Sequence, residues 1–451
     1  MNDRALNERE LLLRDTPTAG ERLTYWLILI AFVTILFFAP HYPLATYGVL
    51  MTIGILMPVA LKMHQNENPF IMPRLWSRWT FTMLPTWLII VATVVGLFNP
   101  ATQSVTIDGT NYRYLADVYK WLPKINPTSN SIIQSLGFSG LLSTFITLTF
   151  VPKSRYFIER LLLGVASIIA IFAACRYIAL IIDPSTFPKT HFFDISGELD
   201  SWSLFSILWT TVFVSLALLI RRYNPEQQVH QTLGPILLVC AIMTGGMNLL
   251  LLSGPAIGGA FVYIGLLLIY FSMISFRAAA GFRFAALFIG LGAILGIIYG
   301  VSMWVSATTD PLINAYWNQV SSILFSQSPL FGWSWNSQLD LFGYFANDAL
   351  IAKSDALTHR ANWLSMLASF GIVGTTVFAL VIATLARPLF AGRFKARLAN
   401  ELSCACLVVA IFGLLGIASQ SLPTIASLAF LFALGVRWSA LSRRRLDEIA
   451  T

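Results

Sequence analysis

The sequence predicts an all-α polytopic membrane protein with about twelve transmembrane helices, and three observations carry that prediction. The 451 residues are 57% hydrophobic and only 11% charged, whereas soluble domains carry roughly 25% charged residues. Apolar runs of about twenty residues, the length that crosses a bilayer core, recur along the chain. Between these runs, positive residues gather in every second connection.

Taken in order, the runs lie near 23–39, 45–63, 80–98, 131–151, 156–182, 202–220, 232–252, 256–276, 284–306, 362–386, 399–419 and 422–440. Length alone suggests about three soluble domains, but the repeated runs argue for one bundle. No small-residue cleavage site closely follows the first run, so that run is expected to stay as an uncleaved anchor. One set of connections holds Arg74 and Arg78, Lys153 and Arg155, Arg221 and Arg222, Arg277 and Arg283, Arg387 to Arg397, and Arg443 to Arg445. The other set holds only Arg113, Lys120, Lys124, Lys189, Lys353 and Arg360. By the positive-inside rule the first set is cytoplasmic, which puts both termini in the cytoplasm and fits an even number of spans. The expected organisation is a cytoplasmic leader (1–22), spans one to nine (23–306), a large outer loop (307–361), spans ten to twelve (362–440) and a cytoplasmic tail (441–451). The net charge of +8 therefore sets orientation and gives no sign of nucleic-acid binding. Cys175, Cys240, Cys404 and Cys406 fall inside apolar runs and read as small core residues; no Cys/His spacing resembles a zinc or haem site.

Three outer segments have size. Asn99–Asn130 is rich in Thr, Asn, Asp and Tyr and reads as a short strand pair followed by an amphipathic segment. Asp183–Ser201 leads to Trp202, an ordinary interfacial anchor. Ala307–Asn362 is the longest stretch that cannot span a bilayer, and in it aromatic residues alternate with Asn, Asp, Ser and Gln. Long loops held on a rigid scaffold commonly carry sites; a passive connector is the competing reading.

Four groups of residues invite chemistry. SPLFGWSWNS (Ser328–Ser337) joins a Pro/Gly turn to two indole rings, which offer stacking faces and a polar N–H. THRANWLSMLASFGIVGT (Thr358–Thr375) sets His359 and Arg360 at the mouth of a helix, with His359 and Trp363 four apart on one face. Arg176 lies within a span, where a charge costs about 2.5–3.5 kcal/mol and marks function by default; the alternative is a snorkelling arginine paired with Asp183. MTGGMN, with Thr244, Gly245, Gly246 and Asn248, is either an unwound substrate site or close packing through small residues. His41 and His191 read as ordinary interfacial residues. No two-half symmetry of the inverted-repeat kind is evident.

The order of the second-to-last and last of the polar motifs, SPLFGW and then H-x-x-N at the start of a late span, resembles the O-antigen ligase and O-antigen polymerase superfamily. That superfamily includes exopolysaccharide polymerases and protein O-oligosaccharyltransferases. The matching positions are Pro329, Gly332, Trp333, His359, Asn362, Leu364, Leu367, Gly371 and Gly374. The long loop between spans nine and ten also matches. The resemblance covers the last third of the chain; the first half matches only in span count. Two positions depart: Ala361 stands where the family has a second His, and Ser253 lacks the Arg that follows it in the family.

The resemblance implies a membrane glycosyltransferase at the periplasmic face of a bacterial inner membrane. It implies an undecaprenyl-diphosphate-linked glycan as donor, a glycan or lipid as acceptor, and a chain-length regulator or flippase as a possible protein partner. Transfer from a lipid diphosphate needs a cation for the departing diphosphate, and arginine meets phosphate oxygens bidentately; Arg360 and Arg176 are the candidates. It also needs a base near neutral pKa for the acceptor hydroxyl; His359 is the candidate. Asp355 or Asp310 would orient His359 or the sugar, and Trp333, Trp335, Asn336 and Asn362 would bind substrate. No cluster of acids suggests a divalent metal, so metal-independent transfer without a cofactor is expected. The imperfect ligase signatures lean toward polymerase. The reading from another class is a transporter or flippase of lipid-linked sugars, and a third is a scaffold of an envelope assembly complex.

Overall fold

The structure, a computed structural model, describes residues 17–39, 41–67, 75–108, 110–115, 119–126, 128–182, 199–223, 228–250, 311–335, 341, 344, 363–391, 397–414 and 421–450. The expected spans near 256–276 and 284–306 lie outside these residues.

Helix α1 (Ala19–Val33) begins four residues before the expected span because Thr18 and Glu21 form a capping box. Thr18 Oγ1 accepts from the Glu21 amide at 3.1 Å and Glu21 Oε2 accepts from the Thr18 amide at 2.9 Å, so two of the orphan donors at the helix start are satisfied. A π-helical turn, Thr34–Phe38, continues α1. Helix α2 (Pro43–Glu67) returns. Next come α3 (Leu75–Thr82) and α4 (Leu84–Leu97), bent by 52° with Pro85 in the first turn of α4; a proline there needs no amide partner and fits a fresh helix start.

An antiparallel pair follows, β1 (Thr102–Ile107) and β2 (Thr110–Leu115), in register from Thr102 opposite Leu115 to Ile107 opposite Thr110. This is the strand pair expected from the sequence. Asp108 sits at φ 50° in the two-residue loop, the left-handed conformation that an Asp-Gly hairpin turn requires. Helices α5 (Ser129–Leu148), α6 (Arg155–Ile182), α7 (Leu199–Tyr223) and α8 (Gln228–Leu250) come next. The remaining described helices are α9 (Pro311–Gln327), α10 (Trp363–Ala391), α11 (Arg397–Leu414) and α12 (Leu422–Ala450). Helix α9 falls within the stretch expected to be a loop. Its Val320, Ser321 and Leu324 are buried while Asn318, Gln319 and Ser322 are exposed, so it is amphipathic and its polar face hides the helical period from a search for spans.

Among the described residues, six helices are long and apolar enough to cross a membrane: Ala19–Phe38, Pro43–Glu67, Ser129–Leu148, Arg155–Ile178, Trp363–Arg387 and Leu422–Leu441; the bent pair α3–α4 would make a seventh if it is one span. Shorter apolar stretches, Leu204–Ala217 and Leu233–Gly245, lie in α7 and α8. The distribution of side chains agrees. Ser135, Ser139, Ser143, Thr144 and Thr147 of α5 are buried, whereas Ile55 and Val59 of α2, Val91 and Val94 of α4, and Val239 and Ile242 of α8 are exposed. Apolar groups outward and hydroxyls inward is the arrangement of a bundle solvated by lipid, where small and hydroxylated residues make the helix contacts. This is the build of an all-α, multi-pass membrane protein.

Helix α5 is the pillar. It packs most extensively on α2 and also meets α3, α4 and α12. A Cβ on Gly140 would lie 2.7 Å from Met51 Cα, and one on Gly137 would lie 2.6 Å from the Tyr47 carbonyl oxygen, so the α2–α5 crossing needs glycine. Ser143 Oγ then donates to the Gly54 carbonyl of α2 at 2.9 Å. Trp79 of α3 donates to Thr147 Oγ1 at 3.0 Å, and Thr93 of α4 pairs with Ser135 at 2.8 Å. Farther round, Trp209 of α7 donates to Ser427 of α12 at 2.9 Å. The start of α1, the end of α2, the α5–α6 turn and α12 meet at one end of the bundle, rich in basic residues: Lys153 N donates to Glu21 Oε1 at 2.9 Å, and Arg437 Nε donates to the Pro152 carbonyl at 2.5 Å. The β1–β2 hairpin stands at the other end.

Candidate functional site at the hairpin end

Ser328 to Trp333 cross the top of α10 as a strap, and the sequence of both partners dictates how. Helix α10 is broken at Gly371, which has φ 64° and ψ −175°, a backbone state open essentially only to glycine. The break removes the helix's own bond from the Ile372 amide to the Ala368 carbonyl, and the strap takes up both groups. Trp333 N donates to Ala368 O at 2.9 Å, Ile372 N donates to Pro329 O at 2.9 Å, and Val373 N donates to Leu330 O at 3.0 Å. A buried backbone group must find a partner, so break and strap require each other. Gly332, at φ 72°, brings the strap against α10; a Cβ there would lie 2.5 Å from the Ser369 carbonyl group.

The strap is tied on its other side to the segment after the hairpin. Lys124 N donates to Gly332 O at 3.3 Å, and Ser328 Oγ lies 3.3 Å from Leu122 O and 3.1 Å from Gly332 O. Asn99 fixes that segment from the end of α4. Its Oδ1 accepts from the Tyr119 amide at 3.2 Å while its Nδ2 donates to Tyr119 O at 3.1 Å and Pro123 O at 3.2 Å. Ala101 N donates to Ile125 O at 2.9 Å, and Thr102 Oγ1 donates to Asn126 Oδ1 at 2.9 Å. Hairpin, 119–126 segment, strap and α10 thus form one hydrogen-bonded assembly. Asn99→Ala is expected to loosen its middle link: loss of a buried acceptor costs about 1–3 kcal/mol, so the Tyr119 amide should exchange with deuterium at least about fivefold faster, read by hydrogen-exchange mass spectrometry. An unchanged rate would show that Asn99 does not hold the segment.

Trp333, which ends the strap, and Trp335, just beyond it, point to different cores. Trp333 is 1% exposed and packs with Ala101, Val320, Leu324, Leu341 and Ala368 in a small apolar cluster. Its indole N–H donates to Leu324 O at 2.6 Å, and the Lys124 ammonium stands 4.6 Å from its ring centre. Ser334, at φ 70°, turns the chain between them, and Trp335 stacks on Phe138 of α5 with ring centres 4.0 Å apart and planes within 3°. Phe370 of α10 extends that stack. Both rings are therefore engaged in packing in this structure.

Of the other expected site residues, Asp310, Asn336, Asp355, His359, Arg360 and Asn362 lie outside the described residues. Arg176 sits near the end of α6, half-buried, with its guanidinium 5.1 Å from the Phe172 ring centre. Lys124 is 3% exposed, although in sequence it is only one charge of an outer loop. Its signal was weak, since nothing in WLPKINP marks a lysine for burial. The MTGGMN segment is continuous helix within α8. Thr244 Oγ1 pairs with Thr210 of α7 at 3.2 Å, and a Cβ on Gly245 would lie 2.9 Å from Thr210 Oγ1, so this segment is close helix packing rather than an unwound site. Among the described residues no group of His, Cys, Asp and Glu is placed to hold a metal ion. No protein-family model matches the chain, and no curated protein matches it.

Proposed function

We propose that the protein is a glycan transferase of the O-antigen polymerase and ligase type. It would have about twelve spans and cytoplasmic termini, and would act at the periplasmic face of a bacterial inner membrane on undecaprenyl-diphosphate-linked oligosaccharide. The observation that carries the reading is the union of the two motif halves. Trp333 N donates to Ala368 O, Gly332 lies against Ser369, and Pro329 O accepts from the amide of Ile372, the residue after Gly371, although some forty residues separate the two halves in the chain. In sequence, His359, Arg360 and Asn362 immediately precede α10, the helix that receives the strap.

In the reaction the acceptor hydroxyl oxygen attacks the anomeric carbon of the donor sugar, and the bond from that carbon to the diphosphate oxygen breaks. His359 takes the hydroxyl proton; Arg360, with Arg176 as a second candidate, meets the charge that accumulates on the leaving diphosphate. Asp310 or Asp355 orients His359 or the sugar. No metal or cofactor is needed for this balance. The transporter reading draws on the broken helix, since carriers aim half-helix ends at substrate. Here the groups freed at the break are paired with the strap, which favours a rigid scaffold.

The test is glycan display in cells carrying His359→Ala or Arg360→Ala at matched membrane levels. Each variant is expected to lower polymer by about 100-fold or more and to accumulate single lipid-linked repeats. Polymer that forms but stays on its lipid carrier would identify a ligase. Unchanged glycans would overturn transfer and direct attention to transport.

A further inference from the structure

We propose that Tyr119 and Trp121 form a carbohydrate-binding subsite that holds the glycan chain beyond the sugars being joined; this rests on the transferase reading and names the surface that handles its polymer. The two rings are 68% and 61% exposed, and their centres lie 6.2 Å apart with planes tilted by 55°. Other rings are exposed too, among them Trp26, Phe98 and Trp363; what sets this pair apart is its place on one short turn that is hydrogen-bonded to Asn99 and the strap. An indole and a phenol offer an apolar face to the C–H face of a sugar and a polar edge to its hydroxyls.

Interfacial aromatics also anchor membrane proteins, and two observations favour sugar. First, the rings sit on the most tightly held part of the excursion. Asn99 grips the backbone of Tyr119, Leu122 N donates to Tyr119 O at 3.3 Å, and the next residues carry the bonds from Ser328 and to Gly332. An anchor in lipid headgroups needs no such link to the strap, whereas a subsite must keep a fixed distance from the reacting centre. Second, the neighbouring hairpin is built for water. Its exposed side chains include Gln103, Ser104, Val105, Thr106 and Thr110, and Tyr114 donates to Gln103 at 2.8 Å. Hydroxyl and amide groups set among the rings of Tyr112 and Tyr114 match a hydroxyl-covered ligand better than acyl chains.

The experiment uses the full chain in lipid nanodiscs that contain brominated phospholipid. The probes are size-graded oligosaccharides released by mild acid from the producing cell's own surface polysaccharide. Trp121 fluorescence is taken as the difference between the protein and its Trp121→Phe variant. The expected result is a saturable change in Trp121 fluorescence that strengthens with oligosaccharide length. Tyr119→Ala and Trp121→Ala should each bind about tenfold more weakly, a loss of about 1.4 kcal/mol, with unchanged unfolding temperature because both side chains are exposed. In cells the same variants should shorten the polymer while single-repeat transfer continues. Quenching of Trp121 by brominated lipid with no response to oligosaccharide would overturn the proposal in favour of a membrane anchor; wild-type binding by both variants would also overturn it. Oligosaccharide binding that persists although His359→Ala and Arg360→Ala leave cell glycans unchanged would retain the subsite and remove the transferase reading.

Discussion

Gly371→Ala is expected to unseat the strap and to lower stability by about 3 kcal/mol or more, from two contributions. The backbone state at φ 64° and ψ −175° costs a residue with a Cβ about 1–3 kcal/mol. The added methyl would also overlap the Leu330 carbonyl group, which is placed to receive the Val373 amide, so α10 or the strap must move and buried backbone groups lose their partners. Gly332→Ala meets the same difficulty from the opposite side, at φ 72° and against Ser369. The double variant should lose less than the sum, because either change already unseats one shared element. Gly48→Ala and Gly234→Ala are the controls. A Cβ at either meets nothing within 4 Å, and alanine is favoured over glycine in a helix by about 1 kcal/mol. The measurement is thermal unfolding in detergent together with the emission of Trp333, which should move toward that of a wet indole in the Gly371 and Gly332 variants alone. If Gly371→Ala unfolded like Gly48→Ala, the break in α10 would not be a fixed feature of the fold.

Much of the bundle is legible in the sequence because lipid imposes a coarse rule. A run of about twenty apolar residues has few alternatives to a helix, and α1, α2, α5, α6, α10 and α12 arise where such runs stand. The hairpin is legible for a different reason: the Thr/Tyr alternation from Thr102 to Leu115 has period two, and Asp108-Gly109 is a turn signal. The earlier start of α1 was also written in the chain, as Thr18-Ala-Gly-Glu21, but the capping box is a local signal that a search for apolar runs passes over. Helix α9 is masked because Asn, Gln and Ser fill its exposed face, although Val320 and Leu324 keep helical spacing. The break at Gly371 could not be read. Glycines are common in membrane helices, and what sets this one apart is a strap some forty residues upstream that accepts the bonds the helix gives up. The same limit applies to the indoles of Trp333 and Trp335. Sequence shows two tryptophans two residues apart; only the left-handed turn at Ser334 decides that they enter separate cores.

Glu21→Ala is expected to give the largest loss at the basic end, about 3–5 kcal/mol. The carboxylate is 0% exposed and accepts from the backbone amides of Thr18 and Lys153, each at 2.9 Å. Its removal leaves two donors at the junction of α1 with the α5–α6 turn, each costing about 1–3 kcal/mol when left buried and unsatisfied, and it dismantles a cap that contributes about 0.5–2 kcal/mol. Glu21→Gln keeps one oxygen and should lose about half as much. Burial sets the ranking, as Glu67 shows. Its two oxygens accept from the Ala19 amide at 3.0 and 3.1 Å, but the pair is exposed and water can replace it, so Glu67→Ala should cost about 0.5–1.5 kcal/mol. Thr18→Ala falls between, since it removes both the cap acceptor and the contact to His64 Nδ1 at 2.9 Å. Chemical unfolding in detergent should place the variants in the order Glu21→Ala, Glu21→Gln, Glu67→Ala. A Glu67→Ala loss as large as that of Glu21→Ala would mean that the α1–α2 contact, rather than the buried carboxylate, holds this end. Glu21 stands at the end of the bundle away from the strap, so under the proposed transferase reading polymer made by surviving Glu21→Ala protein should keep its normal length. A shortened polymer would instead couple the two ends of the bundle through α5.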